Sequence, residues 1–272
     1  MHQLALYGQI GKDDHHRMLQ QLAGFTRMQP QNVTEIRLVF KARQPFGLDL
    51  VQSIGASNLA SQQQQDLQRV KHMLNAGLYY VHLVGEVLPG KRVKRRESED
   101  VAMTDANTSA EADPPMVRWS LEFKDTPEAG KQPVSSGLIS KTPMEEGSLT
   151  QFLDNFGYEY ISRYMVVGSR FYENDTTILV HKVLRLREVA ADEAVSDNSF
   201  LTNINEIPEL DGSGSYIVQA SIDIVDGNNP ELKDRATRQL LGVKEALKQA
   251  VDLTPGDRLA LDTRLPATSR RT

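Results

Sequence analysis

Cysteine is absent from the 272 residues. That excludes a disulfide framework, a thiolate-ligated zinc site and a thiol nucleophile. Long apolar runs are missing too: no stretch approaches the roughly 18 consecutive apolar residues read as a membrane-spanning helix. The opening Met1-His2-Gln3-Leu4 has no basic segment followed by an apolar one, so a secretory leader is not expected. The chain is expected in the cytosol or nucleus, with no membrane partner. Neither sign of charge dominates strongly. The formal net charge of −5 argues against direct nucleic-acid binding, which needs basic surface to displace counterions. Hydrophobic residues make up only 39%, below the roughly 45–50% of ordinary globular domains. Part of the chain is therefore expected to be solvated insert rather than core.

Fingerprints of catalysis are equally scarce. No G-x-S-x-G, P-loop or G-x-G-x-x-G occurs, and Gly212-Ser213-Gly214 lacks a third glycine and precedes a strand pattern. The histidines are His2, His15, His16, His72, His82 and His181, and none has zinc spacing. His15 and His16 are neighbours that diverge by about 100° on a helix. No cofactor and no metal site is expected.

What the chain does have is β patterning. Apolar and polar residues alternate over 2–8, 33–42, 78–88, 116–124 and 215–225, and most densely over 158–172 and 176–187. Glu173-Asn174-Asp175 between the last two is a hairpin turn. On 33–42, Val33, Glu35, Arg37 and Val39 take one face and Ile36, Leu38 and Phe40 the other. Residues 134–142 read as a short edge strand and 259–265 as a last one. Helical spacing predicts a helix after Asp13, with Met18, Leu22 and Phe25 on one face and Gly24 just past its end. A second, over 148–157, carries Leu149, Phe152, Leu153 and Phe156 and ends at Gly157. A third, over 230–251, is capped by Asn229, started by Pro230 and striped by Leu232, Ala236, Leu240, Val243, Leu247 and Val251. A short helix is expected around Leu67, Val70 and Leu74. Mobile loops are expected at about 51–66, 89–115, 125–136 and 188–213.

About nine or ten strands in succession, with no βαβ alternation, argue an antiparallel sheet that is closed or nearly closed. The fold class is mainly β (α+β): a single β-barrel domain over 1–272 with a few flanking helices. No internal repeat is visible.

Three groups of residues stand out. The first is strand carboxylates with basic neighbours: Glu35, Glu86, Glu122, Glu159, Asp223 and Asp262 beside Arg37, Lys124, Arg163, Lys182, Arg185 and Arg264. On the outside of a sheet this is ordinary solvated alternation, which is the expectation. Inside a barrel it makes a charged tunnel, and a metal-dependent hydrolase needs several such acids facing one cavity. The second is the tyrosine-rich strand, where Tyr158, Tyr160 and Tyr164 are expected on one face. With Arg163 they form the expected partner-binding surface, since tyrosine offers an apolar body and a hydroxyl together. The third is the basic run Lys91, Arg92, Lys94, Arg95 and Arg96, which fits a nuclear localisation signal in an exposed loop.

Several stretches resemble the Mediator subunit 18 family, in its filamentous-fungal form. They are His2-Gln3-Leu4-Ala5-Leu6-Tyr7-Gly8-Gln9-Ile10, His16-Arg17-Met18-Leu19-Gln20-Gln21-Leu22-Ala23-Gly24, Met28-Gln29-Pro30, Leu78-Tyr79-Tyr80-Val81-His82-Leu83-Val84-Gly85-Glu86 and Asn155-Phe156-Gly157-Tyr158-Glu159-Tyr160. The resemblance spans most of the chain outside the long loops. It implies a many-stranded barrel similar to the triphosphate tunnel enzymes. It also implies a non-enzymatic subunit of the Mediator head module that activates transcription in the nucleus. The implied partners are Mediator subunit 20, the C-terminal helix of Mediator subunit 8 and, through the assembly, RNA polymerase II. The tunnel enzymes supply the rival reading, a metal-dependent triphosphate hydrolase. They hold metal and phosphate with E-x-E-x-K on a strand, whereas the E-x-E here is Glu97-Ser98-Glu99, inside the loop expected at 89–115.

Overall fold

The computed structural model describes residues 1–43, 78–88, 116–144, 149–197 and 199–265. The insert expected at 51–66, the helix expected near 67–74 and the loop at 89–115 with its basic run lie outside these residues.

The alternating segments form eight strands among the described residues: β1 (His2–Ile10), β2 (Gln31–Ala42), β3 (Tyr80–Leu88), β4 (Met116–Lys124), β5 (Ser135–Met144), β6 (Tyr158–Glu173), β7 (Thr176–Arg185) and β8 (Tyr216–Ile224). They close into an antiparallel barrel in the order β1-β5-β4-β3-β2-β6-β7-β8. Each pair is antiparallel, and β1 closes the ring by pairing with β8 over His2–Ile10 and with β5 over His2–Ala5. At the β6–β7 turn Asn174 takes a positive φ of 51°, a conformation asparagine tolerates better than most residues.

Closure makes the two faces of every strand unequal. On β2, Ile36, Leu38 and Phe40 are buried against side chains outside the ring, while Glu35 and Arg37 point inward. The outer face carries the hydrophobic core, in two parts. Over β1, β7 and β8 lie helix α1 (His15–Thr26) and, after β8, the long C-terminal helix α4 (Pro230–Leu247). Helix α4 starts where the Asn229 side chain accepts hydrogen bonds from the Glu231 and Leu232 amides at 3.0 and 3.3 Å. It buries Ala236, Leu240, Val243 and Leu247, and each buried leucine contributes roughly 1.5–3 kcal/mol. Helix α1 runs on past Gly24 to Thr26, and Arg27 takes the left-handed conformation (φ 54°) that ends it. Gly24 is thus not the terminating residue: Phe25, one position on, still packs against the same core. Gly157, by contrast, has a φ of +79° just after α2 (Leu149–Asn155), as its position predicts.

The second part of the core lies over β2, β3 and β4. Helix α2 supplies Leu149 and Leu153, and Trp119, Leu121 and Phe123 pack against it from one face of β4. Residues 188–213, expected to be a mobile loop, form much of its cover. They hold helix α3 (Ala191–Ser196) and two short 3-10 turns, Ser199–Thr202 and Ile204–Glu206. Ala194 is buried, and Val195, Phe200, Leu201, Ile204 and Ile207 pack on the core. These spaced apolar residues are enough to dock an otherwise acidic segment. The strand expected over 259–265 is not one. Thr254 and Arg264 each make a single bridge, to Tyr7 and Tyr79, and the chain between them crosses one mouth of the barrel as coil.

Gly168 of β6 leaves no room for a side chain against β7. A Cβ there would lie 2.1 Å from the Val180 carbonyl oxygen and 2.7 Å from the His181 Cα. Both are backbone atoms that cannot rotate away. Gly168→Ala is expected to destabilise the protein by about 1–3 kcal/mol through overpacking. Chemical denaturation of both forms checks this, and an unchanged midpoint contradicts the close approach.

Candidate functional site

The inward faces of the strands build a polar interior. β2 contributes Glu35 and Arg37, β3 His82 and Glu86, β4 Glu122 and Lys124, β5 Lys141, and β6 Tyr164 and Arg170. His181 of β7 lies across from Gly168 of β6. A cavity of about 320 Å³ opens among Arg37, His82, Glu122, Lys124 and Tyr164, with Gln3 and Tyr7 of β1 on its far side. The sequence expectation that these charges stand on the solvated outside of a sheet is overturned. With eight strands the ring is just wide enough for inward side chains to meet, and the apolar face is the one that needs the helices.

Inside, the charges are arranged around Glu122. Its side chain is 1% exposed and takes three cations: Arg37 Nη1 at 3.3 Å, Lys124 Nζ at 3.3 Å and Lys141 Nζ at 3.2 Å. Glu35 accepts from Arg37 Nε at 3.1 Å and Nη2 at 2.7 Å, and from Arg170 Nη2 at 3.0 Å. Arg170 in turn reaches Glu86 at 3.5 Å. Glu35, Glu86 and Glu122 thus face Arg37, Lys124, Lys141 and Arg170 in one connected network. Burial alone would raise the Glu122 carboxyl, but Lys124, Arg37 and Lys141 outweigh it and hold it down at about 2. Glu35 is lowered in the same way, by Arg37 and Arg170 against its own burial. Arg37 is raised well above its ordinary value, because Glu122 and Glu35 outweigh its desolvation. Lys124 is lowered, chiefly by desolvation, which exceeds the pull of Glu122.

The two interior histidines are neutral. Desolvation, with Arg37 nearby, pushes both His82 and His181 down to about 4. Each has a buried Nδ1 with no hydrogen-bond partner among the described residues.

This arrangement is poorly suited to a divalent cation. Glu35 and Glu122 already accept from arginine or lysine, so a metal must displace those partners as well as shed its own water. The next inward position after Glu35 is Arg37, a cation where a further acid is needed. Among the described residues no three histidines, aspartates or glutamates converge as a metal-holding group.

The other residues singled out in the sequence scatter. Glu159 pairs with Lys41 at 2.6 Å at the half-exposed end of β2. Asp223 accepts from Gln3 Nε2 at 2.8 Å. Lys182 bonds Glu209 at 2.5 Å, and Asp262 bonds Arg264 in the C-terminal coil. The tyrosines do not share a face. Between Tyr160 and Ser162 the β2–β6 register shifts, and one extra residue turns the later part of β6 to the other side of the sheet. Tyr158 and Tyr160 therefore pack on the outer core, Tyr160 edge-on to Phe40 at 5.7 Å, while Tyr164 enters the cavity beside Arg37. Arg163 is buried beneath 188–207. It donates to Asp197 at 2.8 Å and to the Arg187 carbonyl at 2.9 Å, and lies 5.3 Å from the Phe200 ring centre. The four form no single exposed patch. Sequence reasoning missed Lys141 and Arg170 as partners of the interior acids, and the two histidines as their neighbours. They stand on β5, β6, β3 and β7, not on the strands that carry Glu35 and Glu122, so no pattern within a single strand announced them.

Similarity to known proteins points the same way. The sequence profile of the family described as "Med18 protein" matches residues 2–264. A Neosartorya fischeri protein named Mediator of RNA polymerase II transcription subunit 18 is 38% identical over 275 residues, covering 97% of this chain and 99% of its own. The protein of the same name from Coccidioides immitis is 38% identical over 270 residues, covering 97% and 100%. Among solved structures, a chain of the Schizosaccharomyces pombe Mediator head module aligns with a TM-score of 0.61 at 17% identity, covering 94% of this chain and 99% of that one. At that identity the structural match speaks for the fold.

The network fixes how stability depends on acid. Glu122 and Glu35 are lowered in the folded state, so their contribution is full above the unfolded value near 4.5 and lost as pH falls through the folded one. His82 and His181 are also lowered, so between 6.5 and about 4 the unfolded chain binds protons that the fold does not. Both effects weaken the fold on acidification, the histidines first. Replacing His82 and His181 with glutamine is expected to flatten the loss between pH 6.5 and 4. Glu122→Gln, which removes the shared partner of three cations while Arg37 keeps Glu35 and Lys141 keeps access to solvent, is expected to cost about 1–3 kcal/mol at about pH 7. Denaturation midpoints across pH measure both, and a Glu122→Gln protein of unchanged stability contradicts the network.

Proposed function

The chain belongs to the Med18 protein family, and from that premise we propose that it is a non-enzymatic subunit of the Mediator transcription coactivator, working in the head module by binding other subunits. One observation carries the mechanistic half of this reading. The interior acids that a tunnel-type hydrolase needs free for metal are engaged with Arg37, Lys124, Lys141 and Arg170. A cavity whose glutamates are all engaged by cations is a structural core, so the activity of the molecule lies on its outside.

The specific partners are Mediator subunit 20 and the C-terminal helix of Mediator subunit 8. The first packs barrel against barrel, and the second lays an apolar helical face in a groove of this barrel. Contact with RNA polymerase II comes through the assembly rather than through this chain alone. The protein works in the nucleus, and Lys91, Arg92, Lys94, Arg95 and Arg96 supply an import signal. The formal charge of −5 speaks against a direct DNA contact. The alternative, a metal-dependent triphosphate hydrolase, has no observation in its favour beyond the shape of the barrel.

A tagged full-length chain expressed in its own cells is expected to bring down subunits 20 and 8 at near one-to-one stoichiometry by mass spectrometry. A soluble, folded bait that retrieves neither contradicts the partner assignment. Deleting residues 91–96 is expected to lower nuclear accumulation of the free chain when assembly is blocked. Undiminished accumulation under that condition removes the import role.

A further inference from the structure

The C-terminal coil after α4 divides into two parts of different character. Val251 and Leu253 are buried in the outer core and are wedged against β1: a Cβ on Gly8 would lie 2.5 Å from Val251 Cγ2. Thr254 then extends β1's ladder where β5 has left it. It exchanges both backbone hydrogen bonds with Tyr7 at 2.8 Å. Beyond this point no side chain of 255–265 is fully buried, and Leu259 is 76% exposed.

The outer part is held instead by a polar clasp spread over three elements. The Gly256 amide donates to Ser135 Oγ at 2.8 Å, and Arg258 Nε donates to the Pro127 carbonyl at 2.8 Å. Thr126 Oγ1 donates to Asp262 Oδ1 at 2.7 Å. The Thr263 hydroxyl donates to the Lys124 carbonyl at 2.5 Å, the Tyr80 amide to the Thr263 carbonyl at 2.8 Å, and the Leu265 amide to the Leu78 carbonyl at 3.0 Å. Asp262 also holds Arg264, which fixes the turn from inside. Ala260, Leu261, Asp262 and Thr263 form one wall of the cavity that contains Arg37, His82, Glu122 and Lys124.

We infer that residues 255–265 are a hinged lid over one mouth of the charged interior. They are anchored by Val251 and Leu253, closed by the polar clasp around Asp262, and able to swing away as a unit while the barrel stays folded. Segments with little apolar burial and hydrogen bonds near solvent open at a fraction of the global unfolding free energy. Here the buried anchor ends abruptly at Leu253, which sets the hinge between it and Gly256. Opening frees the Tyr80 amide, which is bonded to the Thr263 carbonyl, and uncovers the Glu122 network from that side. The lid is thus a built-in competitor for anything that approaches this mouth, and the inference stands whichever partner does so.

Amide hydrogen exchange on the full chain, with mass spectrometry of fragments, reads this directly. Peptides covering 255–265 and the Tyr80 amide are expected to exchange together, well ahead of β2 and β6. Asp262→Asn, which weakens the clasp, is expected to speed exchange of 255–265 by about tenfold with β2 and β6 unchanged. A second variant guards against a merely loosened barrel: Leu253→Ala removes the anchor and is expected to speed exchange at β1 as well. The lid is overturned if wild-type 255–265 exchanges only with the barrel, or if Asp262→Asn accelerates β2 and β6 as much as the coil.

Discussion

The interaction on which the rest of this structure depends is the burial of Glu122 among Arg37, Lys124 and Lys141 inside a closed ring of strands. A carboxylate removed from water is costly unless it is paired and hydrogen-bonded, and removing its partners costs more than removing the pair. Once Glu122 and Glu35 face inward, the cations must accompany them, and a ring of eight strands is narrow enough for them to meet across the interior. The polar face of each strand is thereby committed to the inside. The apolar face has to be covered from outside, by α1 and α4 over one side and by α2, α3 and the 188–207 segment over the other. The architecture inverts the usual small barrel, with the apolar core outside the ring and the charge within it.

Much of this is legible in the sequence. Period-two alternation locates seven of the eight strands, Asn229 and Pro230 locate the start of α4, and Gly157 locates the end of α2, because each rests on local backbone chemistry. The strand expected at 134–142 is not an edge, since β5 pairs with both β1 and β4. Which face of β2 turns inward is not legible. Ile36, Leu38 and Phe40 alternate with Glu35, Arg37 and Val39 equally well in an open sheet with one wet side and in a closed ring. Only the covering helices, which are distant in sequence, decide between them. The tyrosines mislead for a related reason. A single register shift near Ile161 sends Tyr160 outward and Tyr164 inward, and nothing in the spacing of three tyrosines announces a bulge. The acidity of 188–213 suggests a loop in water, whereas Val195, Phe200, Leu201, Ile204 and Ile207 determine where the segment lies.

The same constraint links fold to role. Family membership brings the name of a coactivator subunit, and the interior gives a physical reason for a subunit of this shape to act by assembly. The groups that in a hydrolase must stay available to metal and phosphate are here bound to one another at 2.7–3.3 Å. The outer surface and the mouths, one of them crossed by the C-terminal coil, are left for recognition.

That the interior charges are engaged with each other, and so not available for chemistry, is tested most directly by phosphate release. The purified full-length chain would be incubated with manganese and a nucleoside triphosphate, alongside Glu122→Gln as the control. The account predicts no release above the protein-free background for either. Sustained, manganese-dependent turnover by the natural chain, lost on Glu122→Gln, would contradict it and restore the barrel interior as an active site.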